Sequence, residues 1–290
     1  MAARSPGKPA PFALEREGFT LAGDELGGAD AEEATLVLMH GLTATRRYVL
    51  HGSRHLPRAG TRLVAYDARG HGESGAPAPG SYTYEHLADD AAAVATARAG
   101  EGRPVLAGHS MGAHTIAALA LRDPSRYAGA VLIGPAVTGE PPTPATESYW
   151  DALADGLDAG GVEGFLAAYD RELAPGWRET LLRITRQRLS EHSHPEGVAR
   201  ALREVPRSLP FAGLEALGAL ELPALVVASH DEADPGHPYE VARAWADALP
   251  QAQLVSEAPG ESPLAWQGGR LSRVIEGFLA EDPVRERLRA

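Results

Sequence analysis

One short stretch of this chain, residues 108–112, constrains its fold more than any other. Its sequence is Gly-His-Ser-Met-Gly, and it lies between an apolar run at 104–107 and a run of mostly small residues at 113–121. The first run predicts a buried strand and the second predicts a helix. A tight turn between them projects Ser110 outward, and glycines on both sides remove the Cβ atoms that would collide there. The pattern therefore predicts an exposed serine at a helix N-terminus, where free N–H groups favour developing negative charge.

Strand and helix patterns alternate along most of the chain. The continuous apolar run at 34–39 is typical of a strand buried on both faces, and further strands are predicted at 12–17, 19–26, 61–66, 104–107, 128–133, 222–228 and 253–257. Helices are predicted at 47–56, 84–99, 239–249 and near 271–279. The alternation predicts an α/β fold with a mostly parallel sheet of about eight strands and helices on both faces. Residues 140–215 show helical patterns without a convincing strand, which predicts a helical cap inserted into a core domain of residues 1–139 and 216–290.

Composition excludes several classes of function. The 27 Lys and Arg residues stand against 39 Asp and Glu residues, giving a net charge of −12 without a basic cluster, so nucleic acid is not an expected partner. The absence of cysteine excludes disulfides and thiolate metal sites and agrees with a cytoplasmic location. No apolar run predicts a membrane span, and residues 1–11 lack the apolar core of a signal peptide. Without a dinucleotide fingerprint or a His-Glu-x-x-His motif, neither a metal nor an organic cofactor is expected.

Three motifs together resemble the α/β-hydrolase superfamily, in its capped, lipase/esterase-like branch. They are His40-Gly41 after the third predicted strand, Asp-x-Arg-Gly-His-Gly-x-Ser at 67–74 after the fourth, and residues 108–112 after the fifth. The resemblance covers essentially residues 12–282 and implies the α/β-hydrolase fold. It also implies a small-molecule substrate bound near His40 and Gly41.

The resemblance assigns roles around the serine. It implies that Ser110 is the nucleophile and that the N–H groups of Leu42 and Met111 form the oxyanion hole. Two fixed donors stabilise the oxyanion of a tetrahedral intermediate, each by roughly 3–4 kcal/mol. His109 is expected to be a packing or hydrogen-bonding residue of the pocket beside the nucleophile.

The resemblance places the acid of the triad in the loop after the strand at 222–228. Asp234 fits best because Pro235 and Pro238 follow it, and Asp231 is the second candidate. A solvated acidic loop would explain the same composition, so the acid is assigned by its position alone.

The residue expected to act as the base is not a histidine in this chain. The superfamily pattern is Gly-His after the last strand, whereas residues 258–263 are Ala-Pro-Gly-Glu-Ser-Pro, with Glu261 in the position of the histidine. The last histidine of the chain is His237. A carboxylate with a pKa of about 4.3 is a much weaker base at neutral pH than an imidazole with a pKa of about 6.5.

Two hypotheses keep the site catalytic. In the first, another histidine reaches Ser110, either His237 from the acid loop or His192 or His194 from the predicted cap. In the second, Glu261 is itself the acid/base and the enzyme is a lyase, cyclase or isomerase.

A third hypothesis makes the protein a catalytically silent small-molecule binder, with Trp266 in the wall of the pocket. The leading prediction is hydrolysis of an ester, lactone or thioester of a small organic molecule by a serine enzyme with an atypical triad.

Overall fold

The computed structural model describes residues 7–27, 34–100, 102–173, 176–230, 234–258, 266 and 268–290, and the strands among them form a single sheet. The strands are β1 (Ala10–Arg16), β2 (Phe19–Leu26), β3 (Thr35–Met39), β4 (Arg62–Tyr66), β5 (Val105–His109), β6 (Gly129–Ile133), β7 (Ala224–Val227) and β8 (Ala252–Val255). Their order across the sheet is β1-β2-β4-β3-β5-β6-β7-β8. The pairs β1–β2 and β2–β4 are antiparallel, and every pair from β4 to β8 is parallel. This confirms the predicted eight-stranded, mostly parallel sheet.

The central strands are apolar on both faces because helices cover both sides of the sheet. The helices are α1 (His55–Arg58), α2 (Tyr84–Arg98), α3 (Met111–Ala120), α4 (Pro144–Tyr169), α5 (Arg178–Leu189), α6 (Pro195–Glu204), α7 (Tyr239–Ala248), α8 (Gly269–Leu279) and α9 (Asp282–Arg289). One buried cluster lies between the sheet and α2, α3 and α7, and a second lies between the sheet and α1, α8 and α9. Two-sided burial is the environment that continuous apolar strands favour.

The register of the parallel strands brings three loops to the same level at one edge of the sheet. Met39 of β3 pairs with Gly108 of β5, and His109 of β5 pairs with Ile133 of β6. The chain therefore leaves β3, β5 and β6 side by side. Open parallel sheets bind ligands at this carboxyl end of their strands.

Helices α4, α5 and α6 form a layer of their own between β6 and β7, which we call the helical segment. Its core contains Leu153, Phe165, Leu189 and Leu202, and the described residues between β6 and β7 include no strand. A Cβ on Gly197 of α6 would lie 2.7 Å from the Cα of Gly70, so α6 meets the loop after β4 backbone to backbone.

The long helix α4 is broken near its middle. Gly160 and Gly161 have non-helical dihedral angles, with φ of 58° at Gly161, and the chain folds back there. A Cβ on Gly156 would lie 2.5 Å from the carbonyl oxygen of Gly164, so the two arms touch through glycine backbone.

The helix predicted at 47–56 is wrong over most of its length. A 3₁₀ turn at Arg46–Tyr48 is followed by His51 and Gly52, with φ of 47° and 72°, and α1 begins only at His55. Two consecutive residues in the left-handed region cannot belong to a right-handed helix. No helix in the described part of the chain has the length and apolarity required to cross a membrane.

Candidate active site

Ser110 occupies a strained turn between β5 and α3. Its φ is 51° and its ψ is −114°, a conformation that non-glycine residues rarely adopt. Its N–H donates to the Ile133 carbonyl oxygen at 2.9 Å, and its own carbonyl oxygen accepts from the N–H of His114 at 3.0 Å. The Ser110 side chain is half-buried, and its Oγ has no hydrogen-bond partner among the described residues. The backbone of Ser110 is therefore fixed by hydrogen bonds on both sides, whereas its hydroxyl is not engaged by any described residue.

The two glycines of the motif are required by close backbone contacts. A Cβ on Gly112 would lie 2.2 Å from the carbonyl oxygen of Met39, and a Cβ on Gly108 would lie 2.4 Å from the carbonyl carbon of Gly112. Both separations are shorter than any real carbon contact, so the turn can form only with glycine at both positions.

The loop after β3 lies directly against the serine. A Cβ on Gly41 would lie 2.9 Å from Nδ1 of His109 and 3.3 Å from the Cβ of Ser110. Within the described ranges, the N–H groups of Leu42 and Met111 have no hydrogen-bond partner, and the two residues flank the serine from the loop and from the start of α3. The two N–H groups predicted to bind the oxyanion thus lie beside Ser110 without a hydrogen-bond acceptor among the described residues.

Three histidines, His40, His71 and His192, pack together beneath this loop, with ring centroids 5.1 and 5.5 Å apart. His40 accepts from the Ala68 N–H through Nε2 at 2.9 Å, and its Nδ1–H donates to the Gly41 carbonyl oxygen at 2.8 Å. This network joins the loops after β3 and β4. His40 is therefore a hydrogen-bonded loop residue.

His192 joins the helical segment to the same two loops. Its Nδ1 accepts from the Gly72 N–H at 2.8 Å, and its Nε2–H donates to the Thr43 carbonyl oxygen at 3.1 Å. Burial lowers the pKa of His192 to about 4, and it also lowers the pKa values of His40 and His71. Both ring nitrogens of this neutral imidazole are engaged, so neither is free to take a proton from Ser110.

The loop after β7 provides a carboxylate paired with an imidazole. Nδ1 of His237 lies 2.8 Å from Oδ2 of Asp234, and the His237 N–H donates to the Asp234 carbonyl oxygen at 3.1 Å. The His237 ring centroid is 5.0 Å from that of His109, which directly precedes the serine. A Cβ on Gly134 would lie 3.5 Å from the His237 ring and 3.6 Å from Nε2 of His109, so both rings lie against the loop after β6.

Electrostatics favour an ionised Asp234 and a neutral His109. Burial raises the pKa of Asp234, but the hydrogen bond and charge of His237 outweigh it, and the pKa of Asp234 falls below its ordinary value. Burial, together with the positive charge that His237 can carry, lowers the pKa of His109 to about 3.

Other predicted site residues lie elsewhere. His194 is half-buried at the start of α6, with Nδ1 3.3 Å from Oε1 of Glu196. The Nε1–H of Trp266 is 2.7 Å from the Ala228 carbonyl oxygen and 2.9 Å from Oε2 of the buried Glu257, and its ring packs against the core. A role for Trp266 in the pocket wall stays a prediction. Glu261 and Asp231 lie outside the described residues.

Sequence reasoning missed Arg188, on α5. Thr185 and Leu189 on either side of it are buried, whereas the helix also carries exposed arginines such as Arg183 and Arg186. The helical spacing of the sequence could have indicated that Arg188 faces inward, because position 188 lies on the same helix face as Thr185 and Leu189. Within the described ranges, no group of three or more His, Asp or Glu side chains could hold a metal ion.

Comparison with known proteins gives a consistent result. The model of the family described as "alpha/beta hydrolase fold" matches residues 34–210. A putative carbamate hydrolase RutD of Agrobacterium fabrum is 30% identical over 79% of this chain and 85% of its own length. A monoacylglycerol lipase of Mycolicibacterium smegmatis is 27% identical over 66% of this chain and 68% of its own.

Solved structures agree on the fold. A thermophilic esterase from Thermogutta terrifontis superposes with a TM-score of 0.75 at 24% identity, covering 97% of this chain and 100% of that one. The enol-lactonase from Burkholderia xenovorans LB400 gives a TM-score of 0.73 at 23% identity, covering 93% and 100%.

Proposed function

The chain belongs to the α/β-hydrolase fold family, and from this premise we propose that it hydrolyses an ester, lactone or thioester of a small organic molecule with Ser110 as the nucleophile. Curated relatives named as a carbamate hydrolase and a lipase support hydrolysis as the reaction class. Two features of Ser110 support its role as the nucleophile: the strained turn that it occupies and a hydroxyl that forms no hydrogen bond with any described residue.

The observation that carries the proposal is the hydrogen bond between Asp234 and His237, beside the residue that precedes Ser110. In serine hydrolases the acid holds Nδ1–H of the histidine, and Nε2 faces the serine hydroxyl. In this chain Nδ1 of His237 is bound to the acid, and Nε2 has no hydrogen bond to any described residue. We therefore assign the base to His237, so that acid and base come from one loop, three residues apart.

His109 is less suited to be the base, although it is the nearer histidine in sequence. A general base is most effective when its pKa lies near the working pH. With a pKa of about 3, His109 stays neutral and holds a proton weakly. We assign it a positioning role against the ring of His237.

The mechanism follows from these assignments. Ser110 Oγ attacks the carbonyl carbon of the substrate while Nε2 of His237 takes its proton, and the carbonyl oxygen becomes an oxyanion bound by the N–H groups of Leu42 and Met111. The intermediate collapses, and His237 returns the proton to the leaving group. Water then attacks the acyl-enzyme by the same route and releases the acid.

We further propose that residues 140–215 form a cap over this site. Leu42 packs against the core of the helical segment, and His192 ties that segment to the loops after β3 and β4. A cap in this place excludes water and strengthens the hydrogen bonds to the oxyanion.

The test combines labelling by a fluorophosphonate with hydrolysis of a short 4-nitrophenyl ester. Wild type is expected to label and to hydrolyse, whereas Ser110→Ala does neither. His237→Gln lowers kcat by roughly 10²- to 10⁴-fold, the contribution of a general base, and Asp234→Asn also lowers it. His194→Gln, which changes a half-buried histidine at the start of α6, is the matched control and leaves kcat unchanged.

Glu261→Gln separates the two assignments of the base. If His237 is the base, Glu261→Gln keeps most of the activity. Full activity in His237→Gln together with loss in Glu261→Gln would assign the base to Glu261 instead. A wild-type protein that neither labels nor hydrolyses would contradict the serine mechanism and favour a non-hydrolytic or binding role.

A further inference from the structure

Arg188 lies where the helical segment meets the candidate active site. It occupies the last turn of α5, between the buried side chains of Thr185 and Leu189. Three residues after it, Glu191 accepts hydrogen bonds from Thr45 Oγ1 at 3.0 Å and from the Tyr48 hydroxyl at 2.9 Å. The end of α5 is thus fixed to the chain that continues from the loop after β3.

The guanidinium of Arg188 has no protein partner in the part of the chain that the structure describes. Its Nε is buried without a hydrogen bond, and no described carboxylate forms an ion pair with it. Arg186, two residues earlier, binds Glu163 through two hydrogen bonds of 2.7 and 2.8 Å, and Arg178 pairs with Asp170 at 2.5 Å. Arg188 differs from these because none of the described carboxylates forms an ion pair with it.

The groups that interact electrostatically with Arg188 include Asp234, the proposed acid of the triad. Burial lowers its pKa, and Tyr169, Asp234 and Tyr48 are the groups whose negative charge would offset that effect. After burial, which is the main cause, the charge of Arg188 contributes to the lowered pKa of His109. The guanidinium therefore lies within electrostatic reach of the acid loop, of the loop after β3 and of the residue preceding Ser110.

Asp234 does not serve as the counterion of Arg188. Its Oδ2 accepts from Nδ1 of His237, and no ion pair joins it to the guanidinium. Arginine keeps its charge in proteins, and a buried charge without a partner is costly. A ligand that brings an anionic group to this place removes that cost when it binds.

We propose that Arg188 binds a carboxylate of the substrate, so that the enzyme acts on esters or lactones whose acyl portion carries a second, anionic carboxylate. This inference rests on the proposed hydrolytic function and names its substrate class. The planar guanidinium forms two parallel hydrogen bonds with a carboxylate, which orients the acyl chain as well as holding it. The scissile carbonyl then lies against Ser110, with its oxygen towards Leu42 and Met111.

The test compares two esters that differ in one group. Mono-4-nitrophenyl glutarate carries the second carboxylate, and 4-nitrophenyl pentanoate replaces it with a methyl group. Wild type is expected to show the higher kcat/KM with the glutarate ester. Arg188→Gln is expected to reduce that preference by roughly 10- to 150-fold, the range for hydrogen bonds to a charged group.

Two further variants guard against a structural explanation. Arg188→Lys keeps the charge without the planar fork and is expected to give an intermediate preference. Arg186→Gln lies on the same helix but pairs with Glu163, and it is expected to leave the preference unchanged. Equal kcat/KM values for both esters in wild type, or equal losses for both in Arg188→Gln, would overturn the assignment.

Calorimetric binding of glutarate separates this inference from the proposed function. Glutarate binding that weakens at least about tenfold in Arg188→Gln supports the anion site even if no ester is hydrolysed. Ester hydrolysis with no preference between the two esters and no glutarate binding refutes the anion site and leaves the hydrolase intact.

Discussion

The stability of this protein should fall on mild acidification, and His114 offers a direct test of the reason. The His114 side chain is only 3% exposed, and its Nε2 accepts from the Ala136 N–H at 2.9 Å. Its Nδ1 lies 2.8 Å from the Tyr84 hydroxyl. A protonated Nε2 could no longer accept that hydrogen bond. The fold therefore requires a neutral imidazole.

The magnitude follows from linkage. Burial lowers the pKa of His114 to about 3 in the folded state, from 6.5 in the unfolded chain. Because the folded pKa is the lower one, the unfolded state takes up the proton first as the pH falls below 6.5. The stabilisation is complete above that pH and is lost towards pH 3, at about 1.4 kcal/mol per pH unit, or about 2 kcal/mol between about pH 7.5 and about pH 5.

The assay is urea unfolding of wild type and of His114→Gln at about pH 7.5 and about pH 5. The variant lacks the titrating group, so the difference in unfolding free energy between the two proteins should shrink by about 2 kcal/mol at the lower pH. Other buried histidines titrate in both proteins and cancel in that difference. The control is His194→Gln, which removes an imidazole whose side chain is 43% exposed in the folded state.

A difference that is the same at both pH values would refute this account of His114. So would a difference that grows at the lower pH, because it would mean that the folded state binds the proton more tightly than the unfolded chain does.

Three further predictions concern stability. Ser110→Gly should be more stable to urea than Ser110→Ala by about 1 kcal/mol. Both variants remove the hydroxyl, but only glycine relieves the backbone strain of roughly 1–3 kcal/mol at φ of 51°. Equal stabilities would show that the turn is unstrained. Gly112→Ala should lower the melting temperature sharply or prevent folding, because its Cβ would lie 2.2 Å from the carbonyl oxygen of Met39. Gly277→Ala, in an open position on α8, should instead stabilise the protein by up to about 1 kcal/mol. Trp266→Phe should lower the unfolding free energy by about 1–3 kcal/mol, because it removes a hydrogen-bond donor from the buried carboxylate of Glu257. An unchanged urea midpoint would show that this hydrogen bond does not stabilise the fold.

The fold followed from patterns that local chemistry imposes on the sequence. The apolar runs of β3, β5 and β6 are buried on both faces because helices cover the sheet on two sides. The turn at Ser110 was predictable because only glycine satisfies the backbone contacts at positions 108 and 112. Where the pattern was ambiguous, the prediction was wrong. Residues 49–54 contain apolar and basic side chains at helical spacing, but His51 and Gly52 adopt left-handed conformations.

The sequence pattern did not select His237 among the candidate histidines, and it did not single out Arg188 among the arginines of α5. Superfamily position directs attention to Glu261, whereas the hydrogen bond between Asp234 and His237 becomes visible only once the loop is folded. Arg188 is one of several arginines in α5, and the property that distinguishes it is the lack of a carboxylate partner among the described residues. Both proposals therefore rest on tertiary contacts, which the sequence pattern does not show.

The break in α4 also makes this protein a convenient host for inserted peptides. Gly160 and Gly161 are exposed, and a Cβ added at either position would meet no atom within 4 Å. The two arms of α4 contact each other through Gly156 and Gly164. Their packing therefore does not depend on the tip at residues 160 and 161. Exposed tips of small residues are where chains tolerate insertions and protease cleavage sites. An epitope or a protease recognition sequence inserted between residues 160 and 161 should therefore be accessible to an antibody or to the protease. After cleavage, the two fragments should remain associated.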